Sequence, residues 1–317
     1  MSKNNTPDAT NLTNVQPCAL KKGGAIGVFA PSSWVEPEDI ERSRQHMEEL
    51  GYKTFIHPQT YEREHQSAGS PLQKALAFQG LWQRKDIDAL WIAGGGNRCL
   101  HLLNALKFKP LTRGTPKPII GFSDATALLN AVYAHTGITT FHGPVYKNLH
   151  KYDAEQMTHL LALLSSEENA SYPLHADNVL HEGTATGRLV GGNLSLFQYL
   201  PQTLPNDFYD GAIIFLEDCN EEISRIDRML MHLRRLGVFD KCAGIIFGEF
   251  SSMLDTGRPY GYMLEDIINE HTEGLDIPVL YNMPFGHGEN LYTFPIGATA
   301  TIDTAGLSFK IAGSATA

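Results

Sequence analysis

The chain has no stretch that concentrates lysine and arginine, and no apolar run of the roughly 18 residues that a membrane-crossing helix needs. Its 25 Lys+Arg stand against 35 Asp+Glu, a net charge of −10. It therefore lacks the basic footprint that nucleic acid or an anionic membrane surface requires, and neither is expected as a partner. A small anion is not excluded, because a few local cations or helix N-termini can hold one against the global field. The polar start "MSKNNTPDATNLTNVQPCALKKGG" has no apolar core of the kind a secretory signal carries. A cytoplasmic protein with a disordered tail over residues 1–22 is the expectation.

Paired cysteine motifs are also missing. Cys18, Cys99, Cys219 and Cys242 are scattered, with no C-x-x-C and no histidine at metal spacing, so they read as reduced thiols. There is no H-E-x-x-H, no G-x-x-x-x-G-K-[ST] and no G-x-G-x-x-G, so neither a catalytic metal nor a nucleotide cofactor is expected. Cys99 lies near a glycine turn and reads either as a small buried hydrophobe or as a nucleophile.

What is present is an ordinary globular composition, 42% hydrophobic and 19% charged over 317 residues. That length exceeds what one core usually organises, and two domains are expected. In the first half, β-rich runs alternate with helical spacing. "AIGVFAPSS" (25–33) precedes "EPEDIERSRQHMEELG"; "KTFIHP" (53–58) precedes "PLQKALAFQGLWQR" (71–84); "IDALWIAGGG" (87–96) precedes "CLHLLNALKF"; and "PIIGF" precedes a helix through about His135. Such alternation predicts an α/β, Rossmann-like domain with a mostly parallel sheet over residues 23–150. Its ligand loops lie beyond the strand C-termini, at "APSSW", "AGGGNR" and "GFSDAT". A connector is expected over 151–186. Residues 187–313 read as a smaller α+β domain with a curved, barrel-like core, its strands including "LYTFPIG".

Four local signals bear on chemistry. Ser123 stands where a buried strand hands over to a helix, which suits a helix N-cap worth about 1 kcal/mol and equally suits a nucleophile on a tight elbow. The glycines 94–96 suit a structural turn, a phosphate cradle or an oxyanion donor. Glu217 and Asp218 end a predicted buried strand, where carboxylates usually meet water or an arginine and one of them could orient a histidine. Among 13 histidines, His287 is distinctive for its place between two glycines in a proline-containing turn.

Several longer segments together resemble the LD-carboxypeptidase family of serine peptidases, which includes the microcin C self-immunity proteins. They are "GFSDATAL", "GRLVGGNLSLFQYLPQT", "FLEDCNEEISRIDRMLMHLRRLGVFDKCAGIIFGEF" and "IPVLYNMPFGHGENLYTFPIGATATID". They occur in the family order between about Ala25 and Asp303. The resemblance implies that Ser123 is the nucleophile, His287 the general base and Glu217 the acid of a Ser-His-Glu triad, at the interface of two domains. With that nucleophile, the backbone N–H groups of Asp124 and Gly95 become the oxyanion hole. The resemblance also implies a homodimer and, as substrate, a murein tetrapeptide from which the terminal D-alanine is removed during cell-wall recycling. The turn from Ala93 to Asn97 leans toward the immunity-protein branch, whose members act as amidases on aminoacyl-nucleotide conjugates. "LEDCNEEISRIDRML" leans toward the carboxypeptidases, and all three tryptophans, Trp34, Trp82 and Trp91, belong to the first domain. A non-catalytic ligand-binding module on the same fold is the remaining alternative.

Overall fold

Strand and helix alternate from the first core residues onward in a computed structural model that describes residues 13–165, 170–288 and 291–317. The elements are β1 (Ala25–Phe29), α1 (Pro37–Glu49), β2 (Lys53–Ile56), α2 (Pro71–Gln83), β3 (Ala89–Ile92), α3 (Cys99–Leu103), β4 (Ile119–Gly121), α4 (Thr126–Thr136), β5 (Thr140–His142) and α5 (Ala154–Leu164). There follow β6 (Ser171–Tyr172), β7 (Val179–His181), β8 (Thr184–Asn193), α6 (Leu194–Phe197), β9 (Ile213–Cys219), α7 (Ile223–Arg235), β10 (Gly244–Ser251) and α8 (Leu264–Thr272). The last strands are β11 (Val279–Leu280), β12 (Phe294–Ile296), β13 (Thr299–Asp303) and β14 (Ser308–Ile311).

The chain divides into two units. The first comprises Leu12–Ala170, Tyr292–Ala298 and Gly313–Ala317; the second comprises Ser171–Leu291 and Thr299–Ala312. The first holds a six-stranded sheet in the order β12-β5-β4-β3-β1-β2. β1 to β5 pair in parallel, and only β12 is antiparallel, matching Phe294 to His142. Local chemistry starts its helices where the sequence indicates. Ser70 and Gln73 form a reciprocal capping box and Pro71 opens α2, which satisfies backbone donors that the first helical turn would otherwise leave unpaired. Ile26, Val28, Trp91, Ile120 and Phe141 pack with Leu160 and Leu163 of α5 in a fully buried core. Each such side chain contributes about 1.5–3 kcal/mol relative to exposure.

The division departs from the sequence expectation in three places. Residues 13–22, expected as tail, are part of the first unit: Val15 bonds Gly137 and Thr139, and Leu20 is fully buried with its N–H on Leu164 O. A few apolar residues in a polar stretch suffice for this, because the sheet and core they meet already exist. Residues 1–12 of the expected tail lie outside the described residues. The expected connector is divided as well, since α5 buries its apolar face in the first core while β6 to β8 belong to the second unit. Finally, "LYTFPIG" returns to the first sheet as β12 instead of joining the second.

The second unit carries an eight-stranded sheet in the order β6-β14-β13-β8-β9-β10-β11-β7. β8 to β11 run parallel, and antiparallel pairs flank them. The expected barrel-like core does not form. The outermost strands, two and three residues long, do not pair with each other, so the sheet is open.

Candidate active site

In the first unit the strand-to-helix turn after β4 exposes one side chain. Ser123 has φ +62°, a left-handed backbone that costs a non-glycine residue about 1–2 kcal/mol. It is no helix cap: the cap positions are Phe122 and Ala125, and neither makes a side-chain cap bond. A strained backbone at a strand-to-helix junction is the geometry that nucleophile elbows have. The glycine turn lies directly against it. A Cβ built on Gly95 would stand 2.9 Å from Ser123 Cβ and 3.1 Å from its Oγ, so only glycine lets the backbone come this close.

The elbow rests on a buried polar layer. The Asp124 side chain is 3% exposed and accepts the Cys99 N–H at 2.8 Å, closing the start of α3. Burial pushes its carboxyl above the usual range. Lys74 of α2 is 1% exposed and donates to Ser32 O at 2.8 Å, and burial lowers its pKa while the nearby Cys99 and Asp124 oppose that shift. Lys74 belongs to no recognisable motif in the sequence. The signal was there, because this lysine sits at helical spacing with Phe78 and Leu81 on an apolar face. Cys99 itself is fully buried, and burial drives its thiol well above the ordinary range. It is a packing residue, and the nucleophilic reading of Cys99 falls.

In the second unit the two carboxylates that end β9 part company, as alternation along a strand requires. Asp218 is consumed by structure. It accepts from Asn193 Nδ2 (2.9 Å), Cys219 N (2.8 Å), and both the N–H (2.9 Å) and hydroxyl (2.8 Å) of Ser195. Glu217, fully buried, faces the turn that carries His287, and its Oε2 lies 2.7 Å from His287 Nδ1. Burial pushes the Glu217 carboxyl up, and the imidazole beside it opposes this. For His287, burial disfavours the charged ring, but the Glu217 carboxylate and a hydrogen bond to Cys219 outweigh it, raising the pKa to about 10. A ring that donates Nδ1–H to Glu217 leaves Nε2 as the position able to exchange a proton.

Backbone contacts fix the histidine turn from below. The Glu249 N–H donates to Phe285 O at 2.8 Å, and Glu249 bridges Gly286 in parallel. A Cβ on Gly288 would lie 1.1 Å from Glu249 Oε2. Glu249, like Cys219, drew no functional reading from the sequence.

The structure thus gathers Ser123, Asp124 and Gly95 within the first unit, and Glu217 with His287 within the second. Among the described residues no group of three or more His, Cys, Asp or Glu is arranged to hold a metal ion. No helix there is long and apolar enough to cross a membrane.

Two domain families match the chain: the LD-carboxypeptidase N-terminal domain over residues 26–143 and the LD-carboxypeptidase C-terminal domain over 186–302. The chain belongs to the LD-carboxypeptidase family. It is 31% identical over 304 residues to the probable murein peptide carboxypeptidase of Bacillus subtilis, covering 92% of each chain. It is 28% identical over 326 residues to the microcin C7 self-immunity protein MccF of Escherichia coli, covering 90% of this chain and 92% of that one. The solved wild-type apo structure of microcin C7 self-immunity protein MccF superposes with a TM-score of 0.87 at 24% identity, over 96% of this chain and all of that one. At that identity the superposition establishes the fold alone.

Proposed function

We propose that this LD-carboxypeptidase family member hydrolyses the L,D bond to the terminal D-alanine of murein tetrapeptides, with Ser123, His287 and Glu217 as its triad. Membership of the serine carboxypeptidase family and the murein peptide carboxypeptidase among its relatives support that substrate class. The single observation that carries the triad is the 2.7 Å bond between Glu217 and His287 Nδ1.

In this reading the Ser123 hydroxyl loses its proton to His287 Nε2 as Oγ attacks the scissile carbonyl carbon. Glu217 keeps the ring in the tautomer that accepts at Nε2 and stabilises the imidazolium that forms. The oxygen of the tetrahedral intermediate is met by the N–H groups of Asp124 and Gly95. Collapse breaks the C–N bond, and the imidazolium protonates the departing amine of D-alanine. Water, deprotonated by His287, then attacks the acyl-serine and releases the shortened peptide. The reaction requires His287 Nε2 to reach Ser123 Oγ within hydrogen-bond distance during turnover. The proposal includes a cytoplasmic location, as cell-wall recycling demands, and a homodimer.

A second reading, hydrolysis of an aminoacyl-nucleotide conjugate, is favoured by the glycine turn at Gly94–Gly96 and by the relative named microcin C7 self-immunity protein. Mass spectrometry of the protein incubated with L-Ala-γ-D-Glu-meso-diaminopimelyl-D-Ala decides between them. Release of D-alanine by the wild type and not by Ser123→Ala supports the main reading. No release from folded protein, with turnover of aspartyl sulfamoyl adenosine instead, transfers the triad to the second.

A further inference from the structure

Ser123 follows the C-terminal end of β4, and a different feature lies at the opposite, N-terminal end of the same sheet's strands. Before β3 and β4 begin, the first unit encloses a cavity of about 420 Å³, within the roughly 300–1,000 Å³ that small-molecule sites occupy. Trp82, Ile87 and Pro116 supply apolar lining, and the exposed Cys18 thiol stands on its wall.

The charges around it run against the rest of the molecule. The chain carries −10 overall, yet Arg84, Lys85, Arg113 and Lys117 line the cavity against one carboxylate, Asp88. Three of these groups are already engaged. Arg84 pairs with Asp86 at 2.5 Å, and Asp88 accepts the Ala25 N–H at 2.7 Å. The buried Lys117 ammonium donates to the carbonyls of Leu81 (3.3 Å), Trp82 (2.8 Å) and Arg84 (2.5 Å), closing the end of α2. Among the described residues, the Lys85 ammonium and the Arg113 guanidinium have no protein partner. Two unspent cations over an apolar floor, in a concavity that focuses their field, match one kind of ligand.

We propose that this cavity is a second binding site, separate from the Ser123 elbow, for a small organic anion with a flat apolar body. The flat body lies against Trp82, Ile87 and Pro116. The anionic group, a carboxylate, sulfonate or phosphate, meets Arg113 in its bidentate geometry, with Lys85 as a point charge beside it.

Cys18 provides the readout. The full-length protein is reacted with 5,5′-dithiobis(2-nitrobenzoate), an aromatic dianion, and with neutral 4,4′-dithiodipyridine, with the modified cysteine identified by peptide mass. In either case the Cys18 thiolate attacks one sulfur, forms a mixed disulfide and expels one aryl thiolate. The expected result is a Cys18 rate that saturates hyperbolically with the dianion. Arg113→Glu should raise the half-saturating concentration at least about tenfold, following the loss of one charge-assisted bidentate contact. The neutral reagent should change less than about twofold. Lys85→Glu, on an exposed side chain, is the second variant should Arg113→Glu unfold, which reaction at the buried Cys99 and Cys242 would reveal. A rate that rises linearly with dianion, or saturation indifferent to both substitutions, overturns the proposal.

Discussion

Glu217 Oε2 and His287 Nδ1 stand 2.7 Å apart at the end of β9, with the carboxylate fully buried and the imidazole side chain 20% exposed. The carboxylate's negative charge therefore acts on the ring with little screening from water. Glu217→Gln preserves the shape of this contact and removes the charge. It is expected to lower kcat about 10³–10⁴-fold, the scale seen when a triad acid becomes an amide, with KM little changed. Steady-state kinetics on the tetrapeptide checks this, and equal effects on kcat and KM would contradict it.

The same pair sets the pH dependence. In the proposed mechanism His287 acts as a base only when neutral, and its pKa is raised, burial being outweighed by Glu217 together with Cys219. The neutral fraction therefore grows as pH climbs through a value above the ordinary histidine range. The acid limb of kcat/KM is expected above the ordinary value of about 6.5. Without the carboxylate the largest raising influence is gone and burial is opposed by Cys219 alone, so in Glu217→Gln the limb should move to lower pH. A pH–rate profile of both proteins tests the sign.

Gly95→Ala places a methyl group 2.9 Å from Ser123 Cβ. The elbow or the turn must retreat by several tenths of an ångström, and the oxyanion donor proposed at Gly95 leaves its line. The expected loss is about 10²–10³-fold in kcat, with near-UV circular dichroism and thermal midpoint close to wild type.

Gly288→Ala meets the Glu249 carboxylate instead, with its Cβ 1.1 Å from Oε2. Either the glutamate or the His287 turn gives way, and activity should fall at least about tenfold. Adding Glu249→Ala removes the obstacle. A double-mutant cycle in kcat is expected to show recovery, a coupling that independent sites would not produce.

Lys74→Met replaces a buried ammonium by a thioether of similar length. The Ser32 carbonyl loses the ammonium donor at 2.8 Å and keeps the Ala68 N–H at 3.1 Å, while Asp124 loses a neighbouring cation. A stability loss of about 1–3 kcal/mol is expected in urea unfolding, with the midpoint shifted and the slope unchanged.

Local patterns were enough to read the first unit's strand and helix alternation, because each element there carries its own punctuation: Pro71 behind a capping box, Gly137 closing α4, a glycine turn after β3. Ser123 was legible as a junction residue, but not as a strained one, since φ depends on how β4 and α4 pack. The role of Glu217 over Asp218 came from family resemblance. Composition treats the two carboxylates alike, and only the pleat of β9 separates them. Residues 13–22 and β12 escaped because their partners lie about a hundred positions away or more, and no window of sequence contains both halves of such a pairing. The open edge of the second sheet was hidden for a related reason, as closure depends on strand order.

The return of β12 to the first sheet has a consequence for how the molecule comes into being. Its strand pairs with β5, Ala19 N–H bonds Ala317 O, and Ala317 N–H bonds Pro17 O. The first unit is thus sealed by residues synthesised some 150 to 300 positions after the segments they close. Until they arrive, β5 is a bare sheet edge, open to pairing with other chains. Closing loops of that span is slow. A ribosome stalled anywhere before residue 294 releases a chain whose first sheet is unfinished, however complete the serine elbow within it.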